Sequence, residues 1–113
     1  TRETFGKPLI QHQVIRHKLA NMSSKIDALE ALVNNICWNM NNGEVPVAEI
    51  SKAKFFATKE LEYCSSEAMQ IMGGAGYLRG NPVERIYREV KVMAIGGGSE
   101  EIMRDLAVRQ MGY

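Results

Sequence analysis

A one-sided charge balance is missing from this chain of 113 residues: 14 Lys and Arg oppose 13 Asp and Glu, for a formal net charge of +1. Nucleic acid and anionic membrane surfaces call for clustered basic excess, so neither is a favoured partner. No apolar run approaches the ~20 residues that span a bilayer, so no membrane span is expected. The first fifteen residues mix Arg, Glu, Lys and Gln with apolar ones, unlike a signal peptide. Cysteine is scarce: Cys37 and Cys64 form no C-x-x-C pair and have no His nearby. That excludes the common metal and redox spacings and points to free, buried thiols in a reducing compartment. His12 and His17 lie five apart rather than four, a poor spacing for sharing a metal on one helical face. No metal site is expected. Period-two alternation is absent as well, and nothing resembles an Asn-Gly hairpin between strands, so sheet is excluded as the main architecture.

What is there is helical periodicity between widely spaced breakers. Pro8, Pro46 and Pro82 are the only prolines, and glycines gather at 73–80 and 96–98. Ile15, Leu19, Met22, Ile26, Leu29, Val33, Ile36 and Met40 recur in steps of three and four, predicting a long helix from Pro8 to Asn41. Asn41-Asn42-Gly43 ends it with residues that tolerate left-handed backbone. A second helix is predicted from Pro46 to Met72 on the stripe Ile50, Ala53, Ala57, Leu61, Cys64, Ala68 and Ile71, whose small members let a neighbour pack closely. A third begins at Asn81-Pro82 and buries Val83, Ile86 or Tyr87, Val90 and Met93. A fourth starts with Ser99 as N-cap and Glu100 and Glu101 in its first turn. The chain is long enough for one core and one domain. The fold class is all-α, an up-and-down antiparallel helical bundle with the Met residues as core filler.

Four segments carry polar or glycine chemistry beyond packing: Arg2 to Leu9 with Gln13, Gln70 to Tyr77, Pro82 to Glu89, and Gly96 to Met103. Each has a plain reading. Gly73, Gly74 and Gly76 suit a helix C-cap and turn; Ser99-Glu100-Glu101 suits an N-cap with acids facing the helix dipole; the Arg and Glu of 84–89 suit a solvated face. The glycines also follow a helix rather than a strand, so they fail the dinucleotide fingerprint.

Taken in order, however, R-x-x-F-G-x-x-L, a Gln eleven residues after that Arg, Q-x-x-G-G-x-G-Y, P-V-E-R-x-Y-R and G-G-S-x-E-I resemble the C-terminal helical domain of the acyl-CoA dehydrogenase family from Arg2 to about Gln110. The resemblance implies an FAD-dependent oxidoreductase of fatty-acid β-oxidation type. Such an enzyme removes a proton from Cα of an acyl-CoA thioester and passes a hydride from Cβ to FAD. It implies a homotetramer or homodimer, with electron-transfer flavoprotein as electron acceptor, in the bacterial cytoplasm or the mitochondrial matrix. By the same resemblance Arg2 reaches FAD phosphate, Phe5 packs near the cofactor and Gln13 hydrogen-bonds it. Gln70 to Gly74, with Gly73 and Gly74 free of side chains, meets the ADP half of a neighbouring subunit's flavin. Ser99 stands for the usual threonine, Glu101 contacts the cofactor, and the Gly98 backbone lies near the thioester.

The departure is Gly97, which occupies the position of the catalytic carboxylate in many members and cannot take a proton. The arrangement is similar to the long-chain and isovaleryl subset, whose base lies on the helix preceding the R-x-x-F-G motif. The base is therefore expected upstream of Thr1, and none in this chain. Glu100 and Glu101 are displaced by three and four residues from Gly97, in a first turn that favours the ionised form and weakens a base. With no initiator Met, the chain is expected to be a piece of a longer protein, lacking that helix and the N-terminal α and middle β domains. The alternative is a stand-alone helical interaction module without flavin chemistry. An acyl-CoA oxidase or flavin monooxygenase on the same fold also stays open.

Overall fold

The computed structural model describes residues 2–113; the expectation that Thr1 is not a natural start lies outside the described residues. Two two-residue strands, β1 (Glu3–Thr4) and β2 (Lys7–Pro8), open the chain as an antiparallel hairpin with Glu3 opposite Pro8. Phe5 and Gly6 form its turn at φ 51° and 75°. Both values are positive, as the right-handed twist of a two-residue hairpin requires. A 3₁₀ turn, Leu9–Gln11, follows, then α1 (Gln13–Asn41), α2 (Val47–Met72), the single turn α3 (Gly74–Tyr77), α4 (Pro82–Ile95) and α5 (Glu100–Gln110).

The first helix thus begins at Gln13, not Pro8, because the hairpin takes up residues 3–8. The sequence shows no hairpin signal there because Phe-Gly does the work of Asn-Gly. The other helix ends agree with their chemistry. The Asn81 side chain accepts from the Val83 N–H with Pro82 at the first helical position, and Ser99 accepts from the Ile102 N–H. Gly73 ends α2 at φ 63° and ψ −144°.

The all-α antiparallel bundle is built around α2, against which α1, α4 and α5 all pack. Lys18–Glu67 and Lys25–Glu60 bridges run α1 against α2, numbers rising on one as they fall on the other. Lys59–Glu100 and the Arg104 guanidinium 4.9 Å over the Phe55 ring do the same for α5. The molecule is a rod of 56 × 24 × 24 Å. Its accessible surface is 7774 Å². A compact monomer of this mass shows roughly 6,200 Å².

Part of that surplus lies on the predicted stripe of α1. Met22 and Ile36 of α1 are buried, while Leu19, Ile26, Val33 and Met40 are exposed. On α2 the buried positions are Ala48, Ser51, Thr58 and Ser65 rather than the apolar stripe. Those hydroxyls return to Val47, Lys54, Phe55 and Glu62 carbonyls, so nothing polar is left unpaired by their burial. Cys37 is exposed and Cys64 half-buried, which corrects the expectation of two buried thiols.

Candidate functional site

At the hairpin end, Arg2 folds back over the end of α2. Its Nη1 donates to the Met72 carbonyl at 3.2 Å, and a Cβ added at Gly73 would sit 2.8 Å from that nitrogen. The guanidinium therefore lies in space that only a glycine leaves open. One of its five N–H donors is used by Met72, which leaves a forked donor surface suited to a phosphate or carboxylate. Phe5, at the turn tip, is 98% exposed, with its ring edge-on to His12 at 6.3 Å. His12 Nε2 lies 3.1 Å from both the hydroxyl and the carbonyl of Thr4 and so ties the hairpin to the start of α1. Gln13 is the first residue of α1 and is exposed; Gln70 and Gly74 are exposed beside Gly73. An apolar cleft of about 430 Å³ opens next to Arg2, lined by Pro8, Leu9, Ile15, Ile71 and Ala75 among others. Arg2, Gly73 and the hairpin are thus brought together from opposite ends of a 70-residue separation.

The second group sits elsewhere. Gly96, Gly97 and Gly98 link α4 to α5, with Gly97 at φ 69° and Gly98 at φ 107°. A Cβ at Gly97 would meet nothing within 4 Å, whereas one at Gly98 would collide with the Met103 thiomethyl. The thiomethyl is the free end of a flexible side chain and can swing aside, so it is the backbone conformation that calls for glycine at 98. Ser99 caps α5 at 3.4 Å, a long bond that leaves its hydroxyl available, and Glu101 is exposed. The Lys59–Glu100 bridge sets this group beside position 59 of α2, fourteen residues from Gly73. At 1.5 Å per residue that is roughly 20 Å along the helix. The chain therefore presents two separate half-sites rather than one pocket.

Glu100 is no substitute base. Its carboxylate is held by Lys59 at 3.1 Å and Arg104 at 3.5 Å, and chiefly the Lys59 ammonium keeps it below the usual carboxylate range. Among the described residues, no three His, Cys, Asp or Glu side chains come together as a metal site. Among the described residues, no helix is long and apolar enough to cross a membrane. Two residues carry weight here with no signal in the sequence. Lys54 reaches the glycine turn from the first third of α2, and Met103 fills the space beneath Gly98.

The half-sites fit FAD chemically: a forked cation over a side-chain-free backbone suits a pyrophosphate, and a weakly committed hydroxyl at a helix start suits a polar ring edge. The family model described as acyl-CoA dehydrogenase, C-terminal domain, matches residues 1–112. Among curated relatives, a 3-(aryl)acrylate reductase of Clostridium sporogenes is 40% identical over 91% of this chain and 27% of its own. The acyl-CoA dehydrogenase AFT10-1 of Alternaria alternata is 40% identical over 97% of this chain and 28% of its own. A probable acyl-CoA dehydrogenase structure from Mycobacterium abscessus superposes with TM-score 0.94 at 42% identity, covering 98% of this chain and 30% of that one. The chain spans less than a third of the length of these relatives.

Proposed function

The chain belongs to the acyl-CoA dehydrogenase family, as its C-terminal helical domain, and from that premise we propose that it serves an FAD-dependent α,β-dehydrogenation of an acyl-CoA thioester. The observation that carries the reading is the Arg2 guanidinium laid over Gly73 with its outer donors open. Arg2 would hold a phosphate of the flavin, and Gly73 and Gly74 would let the backbone approach the ADP half. Phe5, Gln13 and Gln70 pack on and hydrogen-bond that half. Ser99 and Glu101 serve a second flavin from beside the middle of α2, and the Gly98 backbone stands beside the thioester.

When bound, FAD supplies the acceptor for the Cβ hydride. The Cα proton goes to a carboxylate outside this chain, because Gly97 has no side chain at the family position and Glu100 is locked in ion pairs. Half-sites set roughly 20 Å apart along one helix, neither of them enclosed by this chain alone, support a homo-oligomer in which a second copy completes them. The exposed apolar stripe of α1 gives that assembly a face. Electron-transfer flavoprotein is the proposed electron acceptor, and the bacterial cytoplasm or mitochondrial matrix the proposed compartment. A second reading, favoured by the 40% identity to the arylacrylate reductase, runs the same bond change in the reductive direction.

Replacing Arg2 tests the cofactor half. In the protein at its natural length, Arg2→Ala removes a charge-assisted bond worth about 1.5–3 kcal/mol, so FAD dissociation should rise about 10- to 100-fold. Equilibrium titration of apoprotein with FAD measures it. An unchanged dissociation constant removes Arg2 from the flavin site.

A further inference from the structure

We propose that Lys54 is a positioning residue whose ammonium fixes the Gly96–Gly98 turn, and through it the places of Ser99 and the Gly98 backbone. Lys54 lies half-buried in the first third of α2 and donates across to α4. Its Nζ makes a short hydrogen bond to the Met93 carbonyl and reaches the carbonyls of Gly96 at 3.1 Å and Gly98 at 3.5 Å. These oxygens belong to the last turn of α4 and the loop after it, where backbone carbonyls have no helical partner. A cation at a helix C-terminus also meets the negative end of the dipole.

The charge is otherwise uncommitted. Lys18, Lys25, Lys59 and Lys91 each pair with a glutamate, but no ion pair among the described residues involves Lys54. Besides the Gly96 N–H, which donates to the Val92 carbonyl at 2.7 Å, the turn has little of its own to hold it. Three glycines in a row carry no side chains, Gly97 has open space where a Cβ would be, and the atoms nearest a Cβ at Gly98 are those of the flexible Met103 side chain. Successive positive φ angles at Gly97 and Gly98 make this the most freely jointed part of the connection. A donor shared by carbonyls on both sides of Gly97 removes that freedom. The turn is also the family's catalytic position, so its placement bears on the reaction; this role rests on the dehydrogenase reading.

The test uses the natural-length holoenzyme carrying Lys54→Met, which keeps most of the stem and removes the charge, and Lys54→Arg, which keeps donors. Amide exchange over residues 96–99 should quicken about tenfold or more in Lys54→Met, as expected when a charge-assisted tether is lost. kcat/KM for acyl-CoA should fall, mainly through kcat, and the visible flavin band should shift. Lys54→Arg should recover part of both. Lys18→Met, which breaks a bridge between α1 and α2, should leave turn exchange, flavin band and kcat/KM unchanged. Wild-type exchange in Lys54→Met overturns the proposal, as does faster exchange with unchanged kcat/KM and flavin band. If Lys54→Met does not fold, the Lys54→Arg and Lys54→Gln pair carries the same comparison. A wild type that shows no acyl-CoA-dependent flavin reduction sinks the dehydrogenase reading instead. Exchange then still reports the tether, and the catalytic half of the role falls.

Discussion

At φ 63° and ψ −144°, Gly73 occupies backbone space that L side chains rarely share, and a Cβ there would also press on Arg2 at 2.8 Å. Both demands fall on one residue. Gly73→Ala should therefore cost about 1–3 kcal/mol of stability from backbone strain and dislodge the guanidinium as well. Denaturant unfolding read beside FAD titration separates the two effects. Wild-type stability would mean that the backbone relaxes and that the glycine answers only to the ligand. The importance of Gly73 was legible from its place in a glycine run after a helix, and that of Arg2 from its motif. Lys54 was not. One lysine in a helix that also holds Lys52 and Lys59 has no periodic or motif signature, and its partners are backbone oxygens some forty residues away. Met103 was read as core filler, and only the packing under Gly98 gives it a more specific part.

Among the elements, helix existence was legible and the buried face was not. Hydrophobic periodicity locates α1, α2, α4 and α5 within a few residues, yet α2 buries Ala48, Ser51, Thr58 and Ser65. These small polar residues satisfy their own hydroxyls on the preceding turn, so they can face a close neighbour without an apolar label. The hairpin was missed for a local reason, since its turn residue Phe5 adopts a positive φ that sequence rules reserve for Gly, Asn and Asp. At the start of α5, Glu100 bridges to Lys59 and Arg104. Its folded pKa lies below the ordinary value of 4.5, so its contribution is present above that pH and is lost as pH falls through the lower, folded value. Glu100→Gln should lower stability at neutral pH and flatten the decline in acid, as thermal melts from pH 7 down to pH 3 would reveal. Parallel pH profiles for the variant and the wild type would contradict this electrostatic role.

For the whole molecule, the surface is the informative quantity. An accessible area of 7774 Å² on a rod 56 Å long leaves Leu19, Ile26, Val33 and Trp38 open on α1. A helix stripe that reads as core in sequence but lies open in the chain is the signature of a face meant for other protein. The same scale explains why the site was only half legible. Residues 2–13, 70–74 and 96–101 are each readable as cofactor chemistry from their motifs, but the distance between the groups is set by α2, which holds 70–74 and 96–101 roughly 20 Å apart and which no motif reports. The central claim is that these half-sites serve an acyl-CoA-reducible flavin. Its most direct test is anaerobic addition of acyl-CoA thioesters of varied chain and branching to the natural-length protein, following the visible flavin absorbance. The account predicts stoichiometric FAD that bleaches with at least one saturated thioester. A protein purified without flavin, and unable to take it up, would contradict the claim and leave a helical interaction module in its place.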